Sequence, residues 1–341
     1  MTQPALKPVP IAPSRSPVTA IETFRLRSVL TRAVSAVGDR LMRGEEGSWE
    51  FDSPDKSHVT SRYDLEALGF IIRYVPEFLA KEKLPFVVSF ENEELPLLPS
   101  TTGGERLLRV VIDPVDGSKA FDNYKCASDV PIPPPSSAVS VALVDPVGHE
   151  LAATAVYCFD RGETFSSCLL NPGAGEPAAY IAYRNETLLA RISDLPHMPK
   201  ISAKRRVLNG NYNSRALVKL AEVELALMND GLNPTFGGLA GSSATDIINV
   251  ARGSFAACLD MRARCGGKGS VPYWYDIAGA IGVARGRGLD VLVTGADGAP
   301  LEGGDHEIYT PVSFIVARPD VFETVRNVVN GQFALALPVA A

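Results

Sequence analysis

The sequence predicts a protein in two halves, an α+β half followed by an α/β half. Two observations support this fold class. Up to about residue 200, two amphipathic helices precede strands at hairpin spacing, and beyond it strands alternate with helices, the order that produces a sheet covered by helices. We divide the chain into a Pro-rich tail at 1–19, an N-terminal half at 20–200 and a C-terminal half at 201–336.

The N-terminal half begins with two predicted helices. From Ile21 to Leu41 apolar residues recur every three or four positions, as they do on the buried face of a helix. A second stripe of this kind runs from Leu65 to Leu79. The first twenty residues hold five prolines and no apolar stretch, so we interpret them as a flexible tail rather than a signal peptide.

Five strands are expected to follow in the same half. The apolar run at 86–90 ends at an acidic cluster, and the run at 107–112 ends at Asp113-Pro114. Turn residues separate three more apolar runs, which lie at 138–144, 152–159 and around 164–165. The short spacing between these runs predicts that they pair as hairpins.

The C-terminal half shows a different order of elements. Helices are predicted at 215–228, 243–251 and 276–285, and strands at 206–208, 255–259 and 291–293. A Gly-rich turn at 237–241 precedes the helix that begins at Ser243. The apolar end of the chain, 333–341, is too short to cross a membrane, and we expect it to form a last strand or to fray.

Composition excludes several classes of protein. The net charge of −6 argues against a protein that coats nucleic acid or binds anionic membranes. No apolar run approaches the length of about 20 residues that a membrane span needs. The five cysteines are odd in number and form no C-x-x-C pair, which argues against a zinc cluster or a disulfide framework. Reduced thiols in a cytoplasmic protein are the simplest interpretation.

The most informative segment is Asp113-Pro-Val-Asp116-Gly-Ser118. An apolar strand carries Asp113 at its end, and Pro114 cannot extend the ladder, so we expect the chain to turn there. Gly117 permits close approach of a ligand, and the N–H groups of a helix that begins near Ser118 suit a phosphate. Two carboxylates beside an anion need cations between them, for which Mg²⁺ is the usual ion. The alternative is a plain turn with solvated acids.

Three further segments place acids or hydroxyls at the ends of elements. Glu93-Glu94 follows a strand, and its alternative is a solvated acidic loop. Asp276 begins a helix, where it is either a metal ligand or an N-cap. Ser243 and Asp246 fit an S-x-x-D helix start, which either caps the helix or contacts a sugar or phosphate.

In this order the segments resemble the inositol monophosphatase family of the fructose-bisphosphatase-like superfamily. The matching motifs are Val59-Thr60-Ser-Arg-Tyr-Asp64, Asn92-Glu93-Glu94, Asp113-Pro-Val-Asp116-Gly-Ser118, Gly241-Ser-Ser-Ala244 and Trp274-Tyr-Asp276-Ile-Ala-Gly279. The resemblance covers about residues 20 to 330. It implies a sugar-phosphatase-like sandwich in which α and β layers alternate as α-β-α-β-α.

The resemblance also implies a metal centre that holds two or three Mg²⁺ ions, with Li⁺ as an inhibitor. Its ligands would be four carboxylates and one backbone carbonyl, namely Glu93, Asp113, Asp116, Asp276 and the carbonyl of Val115. Asp113 would bridge two ions. Family members are commonly homodimers, so a homodimer is expected here.

By the same resemblance a metal-activated water would attack a phosphate monoester in line. The catalytic residues would be Glu93 and a hydroxyl–carboxylate pair of Ser118 and Asp64. The residues that hold the phosphate or the substrate would be Gly117, Ser118, Gly241, Ser242 and Asp260. The partner would be a small phosphate ester, with neither nucleic acid nor membrane involved.

Three functions stay open at this point. The first is a Mg²⁺-dependent phosphatase that acts on inositol monophosphate or a related sugar phosphate. The second, suggested by the run at 117–121, is a 3′(2′),5′-bisphosphate nucleotidase or a fructose-1,6-bisphosphatase. The third is a catalytically idle metal- or phosphoinositide-binding scaffold, suggested by departures from the family motifs at Asp64, Asn92 and Tyr275.

Overall fold

The computed structural model of the chain describes most of its length. The described residues are 17–44, 61–91, 98–99, 106–126, 133–147, 149–170, 178–194, 206–209, 217–236, 242–266, 271–304 and 306–334. The helices are α1 Ala20–Arg43, α2 Arg62–Lys81, α3 Ser118–Cys126, α4 Leu217–Asn229, α5 Ser243–Ala251, α6 Trp274–Gly286 and α7 Pro319–Ala334.

The strands follow in chain order. They are β1 Phe86–Glu91, β2 Leu98–Pro99, β3 Arg106–Asp116, β4 Ala138–Asp145, β5 Glu150–Cys158, β6 Glu163–Leu169, β7 Tyr180–Arg184, β8 Thr187–Leu189, β9 Arg206–Asn209, β10 Asn233–Phe236, β11 Ala257–Asp260, β12 Asp290–Gly295 and β13 Val312–Ala317.

The strands form two sheets, one from each half of the chain. The first sheet has the order β2-β1-β3-β4-β5-β6-β7-β8, and within it only β1 and β3 pair in parallel. The second sheet has the order β10-β9-β11-β13-β12. In it β9 pairs in parallel with β10 and β11, and β13 pairs antiparallel with its two neighbours.

Helices cover both sheets and separate them. Helices α1 and α2 pack on one face of the first sheet, α5 and α6 lie between the two sheets, and α4 and α7 contact the second sheet. Successive residues of β4 pack into different hydrophobic cores, since side chains alternate between the two faces of a strand. Val141 and Leu143 join the core under α1 and α2, whereas Ala142 and Val144 join the core around α6. The predicted α-β-α-β-α sandwich is confirmed.

Helix α6 lies close to the first sheet because glycines face it. A Cβ on Gly279 would lie 2.3 Å from the Ser140 hydroxyl oxygen, and one on Gly282 would lie 2.5 Å from the Thr154 methyl carbon. One turn further, a Cβ on Gly286 would lie 2.7 Å from the backbone of the first sheet. No real Cβ accommodates such distances, so this glycine stripe fixes how near the helix start comes to strands β3 and β4.

The predicted elements recur with shifted bounds, several of them longer, and some elements were not predicted. The predicted helix at 65–79 extends to Arg62–Lys81, and the strand at 107–112 extends to Asp116. Strands β2, β7, β8, β10 and β13 and helix α7 were missed. Phe333 and Ala334 end α7, so a last strand beginning there is wrong, and 335–341 lie outside the described residues.

The packed part of the chain begins slightly before residue 20. Val18 is buried, and its N–H donates to the Asp145 carboxylate at 2.8 Å. Thr19 is the N-cap of α1, and its side chain accepts the N–H of Glu22. The division at residue 200 stays a prediction. In the parts of the chain that the structure describes, no helix combines the length and apolarity of a membrane span.

Candidate active site

Both carboxylates of the Asp113–Asp116 segment are buried on strand β3. Asp113 is 6% exposed and Asp116 is 8% exposed. The antiparallel register with β4 shifts between these two residues, which is a β-bulge that re-aims the side chain after it. The predicted turn at Pro114 is therefore wrong. The strand continues to Asp116 because the bulge accommodates a residue that cannot donate to the ladder.

Gly117 and the start of α3 form the turn that was predicted to hold phosphate. Gly117 has φ of +82°, and a Cβ there would lie 3.0 Å from the Ser137 hydroxyl oxygen. That hydroxyl donates to the Gly117 carbonyl at 3.0 Å. Helix α3 begins at Ser118 as predicted, and the N–H groups of a first helical turn have no partner inside the helix. Such a start suits an anion.

The start of helix α5 docks onto Asp116. The Ser242 hydroxyl donates to the Asp116 carboxylate at 2.8 Å, and the Ala244 N–H donates to the same oxygen at 2.6 Å. The Ser242 oxygen also accepts the N–H of Thr245 at 3.0 Å. The N-cap of α5 is thus Ser242, and the prediction of Ser243 in that role is wrong by one residue.

A buried ion pair lies behind this contact. The guanidinium of Arg262 donates to both carboxylate oxygens of Asp260, with Nε 3.0 Å from Oδ1 and Nη2 2.6 Å from Oδ2. Asp260 is 2% exposed and Arg262 is 6% exposed. Asp260, predicted to contact substrate hydroxyls, is engaged by an arginine of its own chain.

Asp276 lies in the first turn of α6, after the N-cap Tyr273. Its carboxylate accepts the Tyr273 N–H at 2.7 Å. It therefore caps the helix from the third helical position, whereas the sequence indicated Asp276 itself as the first residue. The side chain is only partly buried.

Burial dominates the electrostatics of the acids around Asp116. Burial raises the pKa of Asp116 to about 6, although hydrogen bonds from Ala244 and Ser242 and the charge of Arg262 oppose this. Burial, followed by the charges of Asp116 and Asp260, raises the pKa of Asp246 well above its ordinary value. A cation beside these acids would favour their ionised forms.

Asp64 lies in the first turn of α2. Its carboxylate accepts the Ser61 N–H at 3.2 Å, and the Ser61 hydroxyl donates to Asp122 of α3 at 2.6 Å. The starts of α2 and α3 are thereby tied together. The hydrogen bonds of the described residues do not include a Ser118–Asp64 pair.

Several predicted site residues fall outside the described residues. They are Val59, Thr60, Asn92, Glu93, Glu94 and Gly241. Among the residues that are described, no group of three His, Cys, Asp or Glu side chains is arranged to hold a metal ion. The ligand set of Glu93, Asp113, Val115, Asp116 and Asp276 thus stays a prediction.

The described residues of that set fit Mg²⁺ by their chemistry. They offer only oxygen donors, which Mg²⁺ prefers over nitrogen and sulfur. Asp116 is a buried carboxylate whose charge is incompletely balanced, as its raised pKa indicates. Beside it, Gly117 has φ of +82°, and a Cβ there would make a tight contact of 3.0 Å with the Ser137 hydroxyl oxygen.

Sequence analysis did not identify the roles of Arg262, of Asp246 and of the Arg109–Glu91 ion pair. Arg262 lies in no motif, and Asp246 was considered only as part of the helix start at Ser243, because burial beside Asp116 cannot be seen in a spacing. The Arg109 guanidinium also binds both oxygens of Glu91, at 2.8 and 2.5 Å. This pair fixes the end of β1, from which the acidic segment at 92–94 departs.

Comparison with known proteins agrees with this fold. The model of the inositol monophosphatase family matches residues 24–325. No match is found among curated proteins. The extragenic suppressor protein SuhB from Bartonella henselae is a structural neighbour with 18% identity and a TM-score of 0.58, over 89% of this chain and 97% of that one.

Two further neighbours were solved with ligands. A dual specific IMPase/NADP phosphatase bound with D-inositol-1-phosphate is 16% identical, with a TM-score of 0.53 over 92% of this chain and 96% of that one. An IMPase/NADP phosphatase complexed with Mg²⁺ and phosphate is also 16% identical, with a TM-score of 0.52 over 91% and 96%. At such identities the likeness shows the fold.

The match of the family model extends from α1 to α7 and includes the buried acids of β3 and the starts of α3, α5 and α6. This chain belongs to the inositol monophosphatase family, whose members are metal-dependent phosphatases that hydrolyse phosphoric monoesters.

Proposed function

We propose that this chain is a Mg²⁺-dependent phosphatase that hydrolyses a small phosphate monoester, with inositol monophosphate or a related sugar phosphate as the favoured substrate. One observation carries the proposal. Asp113 and Asp116 are buried on β3 directly before a glycine turn and a helix start that suit a phosphate. A structural neighbour bound with inositol phosphate supports the choice of substrate.

Each site residue then has a defined task. Asp113, Asp116, Asp276 and the Val115 carbonyl, together with Glu93, would hold the ions. Bound Mg²⁺ would supply a nucleophilic water at neutral pH and neutralise charge on the phosphate. Two groups on α5 orient Asp116, namely the Ser242 hydroxyl and the Ala244 N–H.

The phosphate would lie at the junction of the helix starts. The N–H groups at Gly117 and Ser118 would donate to phosphoryl oxygens. Ser118, assisted by Asp64, would orient the attacking water, and the tie from Ser61 to Asp122 holds their two helices together. Gly241 and Asp260 would contact the substrate.

The decisive experiment measures phosphate release from inositol 1-phosphate, fructose 1,6-bisphosphate and a 3′,5′-bisphosphate nucleotide, with Mg²⁺ and with EDTA. We expect release from inositol 1-phosphate that requires Mg²⁺. Asp116→Asn should lower kcat/KM by more than about 100-fold, since even loss of an outer-shell partner costs 10–100-fold. Asp297→Asn, at an exposed turn aspartate, is the control and should keep wild-type activity.

The other hypotheses predict different results. If the enzyme prefers the nucleotide or fructose 1,6-bisphosphate, the proposed substrate is wrong, but the proposed Mg²⁺-dependent hydrolysis of a phosphate monoester still holds. A folded wild type that binds Mg²⁺ and inositol 1-phosphate without turnover would identify an idle scaffold and contradict the proposal.

We further propose a homodimer in a reducing, cytoplasmic compartment. All five cysteines are free, and Cys158, Cys168 and Cys258 are buried. Burial raises the pKa of the Cys158 thiol to about 12 and that of Cys168 to about 11, which disfavours the reactive thiolate.

Light scattering after size exclusion tests the dimer, because a monomeric mass at micromolar concentration would contradict it.

A further inference from the structure

Helix α4 carries an apolar stripe on the face that points away from the core. The exposed apolar residues of this outer stripe recur at spacings of three, four and three positions, and they are Val218, Ala221, Leu225 and Met228. Val218 is 71% exposed, Leu225 61% and Met228 59%, so no described part of the chain covers them. The opposite face of α4 packs into the core of the second sheet. A surface helix ordinarily presents polar residues outward, and a contiguous exposed apolar surface indicates a binding partner.

Helix α7 ends beside the first turn of α4. The ring of Phe333 lies close to two cations, with its centre 4.4 Å from the Arg264 guanidinium and 5.9 Å from the Lys219 ammonium. Phe333 also packs against the core of the second sheet. Helix α7 ends one residue later, at Ala334. The chain therefore leaves α7 close to Lys219, which directly follows Val218 at the beginning of the outer stripe.

The segment that follows α7 has the composition of a partner for an apolar surface. Residues 335–341 read Leu-Ala-Leu-Pro-Val-Ala-Ala and include no charged residue. Pro338 cannot continue a helix, and it restricts the residue before it to extended backbone. Alternate side chains of an extended chain share one face. Such a chain would therefore present Leu335, Leu337 and Val339 on the same side.

The dimensions of the segment and of the outer stripe agree. From Val218 to Met228 a helix rises by about 15 Å. From Leu335 to Val339 an extended chain covers about 13 Å. When both begin at the Lys219 end, Leu337 lies level with Leu225.

The charges beside the outer stripe argue against a second copy of α4 as its partner. In heptad terms Glu222 and Glu224 flank the stripe on its two sides. Two copies packed face to face would bring these like charges together. An uncharged segment meets no such repulsion.

We propose that residues 335–339 lie extended along the outer stripe of α4, in the same direction as the helix, and join the end of α7 to α4. This docking is independent of the proposed phosphatase activity. It places Leu337 against Leu225, and it removes from water an apolar surface that the described elements leave exposed.

The first test is a disulfide between the two surfaces in the full chain. Leu225→Cys and Leu337→Cys are combined after Cys126→Ser and Cys265→Ser, which remove the two thiols that are not buried. Because a disulfide needs Cα atoms within about 7 Å, we expect mild oxidation to join the new pair within one chain, as a non-reducing gel detects. Leu188→Cys with Leu337→Cys is the matched control and should give little product. Leu188 is 59% exposed and lies on β8 of the other sheet.

Two further pairs allow for a shift along the helix, since Leu335→Cys and Val339→Cys are each tested with Leu225→Cys. Absence of an intramolecular disulfide from all three pairs would overturn the proposal, as would equal yield in the control. A disulfide that joins two chains would identify a second copy as the partner and would also overturn it.

The second test uses thermal melts and no added cysteine. Leu225→Ser and Leu337→Ser should each lower the melting temperature by about 1–3 °C, and the double variant should lose less than the sum of the two, because both changes remove the same contact. Leu188→Ser combined with Leu337→Ser should be additive. Additive losses for Leu225→Ser and Leu337→Ser would show that the two residues do not touch and would contradict the proposal.

Discussion

Asp116 is stabilised by groups that lie far away in the chain. A buried carboxylate needs hydrogen bonds or a cation to stay ionised. Here one oxygen accepts from Ser242 and Ala244, which are 126 and 128 residues away in sequence. Burial still raises its pKa to about 6, so these bonds compensate the loss of water only in part.

The first prediction compares two adjacent serines at the start of α5. Ser242→Ala removes the cap of Thr245 and the donor to Asp116, and we expect it to lower the free energy of unfolding by about 1–2 kcal/mol. Ser243→Ala should change it by less than about 0.5 kcal/mol. Urea unfolding monitored by circular dichroism measures both. Equal losses in the two variants would contradict the assignment of the cap.

The second prediction concerns pH and the start of α1. Burial opposes ionisation of Glu22, yet hydrogen bonds to Thr19 and contact with Arg106 lower its pKa below the ordinary value. A carboxylate with a lowered pKa stabilises the folded state above its unfolded pKa, near 4.3, and this stabilisation is lost as the pH falls through the folded value. Glu22→Gln should therefore be less stable than wild type at pH 7.

That difference should shrink steadily when the pH is lowered from about 4.3 towards 3. Thermal melts at a series of pH values measure it. Glu302→Gln, at an exposed glutamate of the same chain, is the control and should parallel wild type throughout. A gap for Glu22→Gln that stayed constant down to pH 3 would show that charge does not cause it.

At the scale of elements, close packing of α6 brings the acid at its start towards the bulge on β3. Helix α6 contacts β3, β4 and β5 on one side and β12 on the other. The glycines along its face permit an approach that any side chain would block. Asp276 is therefore positioned by glycines that lie up to ten residues further along the same helix.

The third prediction compares two helical glycines. Gly279→Ala places a Cβ 2.3 Å from the Ser140 oxygen and 3.2 Å from the Val141 nitrogen, and we expect a loss of about 1–3 kcal/mol of stability with lower phosphatase activity. Gly331→Ala in α7 meets nothing within 4 Å and should gain about 0.5–1 kcal/mol. Chemical denaturation of both variants measures the contrast. A gain in stability for Gly279→Ala would show that α6 does not pack as described.

At the scale of the whole molecule, the acids of the candidate site come from both sheets and from the helices between them. Asp116 comes from the first sheet, Asp260 from the second, and Asp246 and Asp276 from the helices between them. An ion held by Asp116 and Asp276, as proposed, would join the first sheet to the start of α6. Binding of metal should therefore be coupled to folding.

The fourth prediction follows from this coupling. Mg²⁺ at about 100 times its Kd should stabilise the chain by about 2.7 kcal/mol, which a thermal melt detects as a rise in melting temperature over the sample in EDTA. Asp116→Asn should abolish most of the rise, and Asp297→Asn should keep it. A rise of the same size with Ca²⁺ and in Asp116→Asn would indicate binding elsewhere on the surface.

Much of the fold could be predicted from the sequence because its signals are local. The stripe from Ile21 to Leu41 and the apolar run at 138–144 have the periods of a helix and a strand, and both elements form there. Strands β2, β7, β8, β10 and β13 and helix α7 were missed, and the cap of α5 was placed one residue too late. At Pro114 the sequence predicted a turn and the structure has a bulge. A proline cannot donate a hydrogen bond to the neighbouring strand in a turn or in a bulge, so the residue alone does not distinguish the two.

The sequence by itself determined the order of the acidic motifs, and that order identified the family before any contact was known. Only the tertiary structure decided which acids are buried, that Ser242 and Ala244 hold Asp116, and that Arg262 pairs with Asp260. The reason is physical. Periodicity and motif spacing act over a few residues, whereas the charge that a buried acid experiences is set by groups up to 146 residues away, which meet only when the two sheets close on the helices between them.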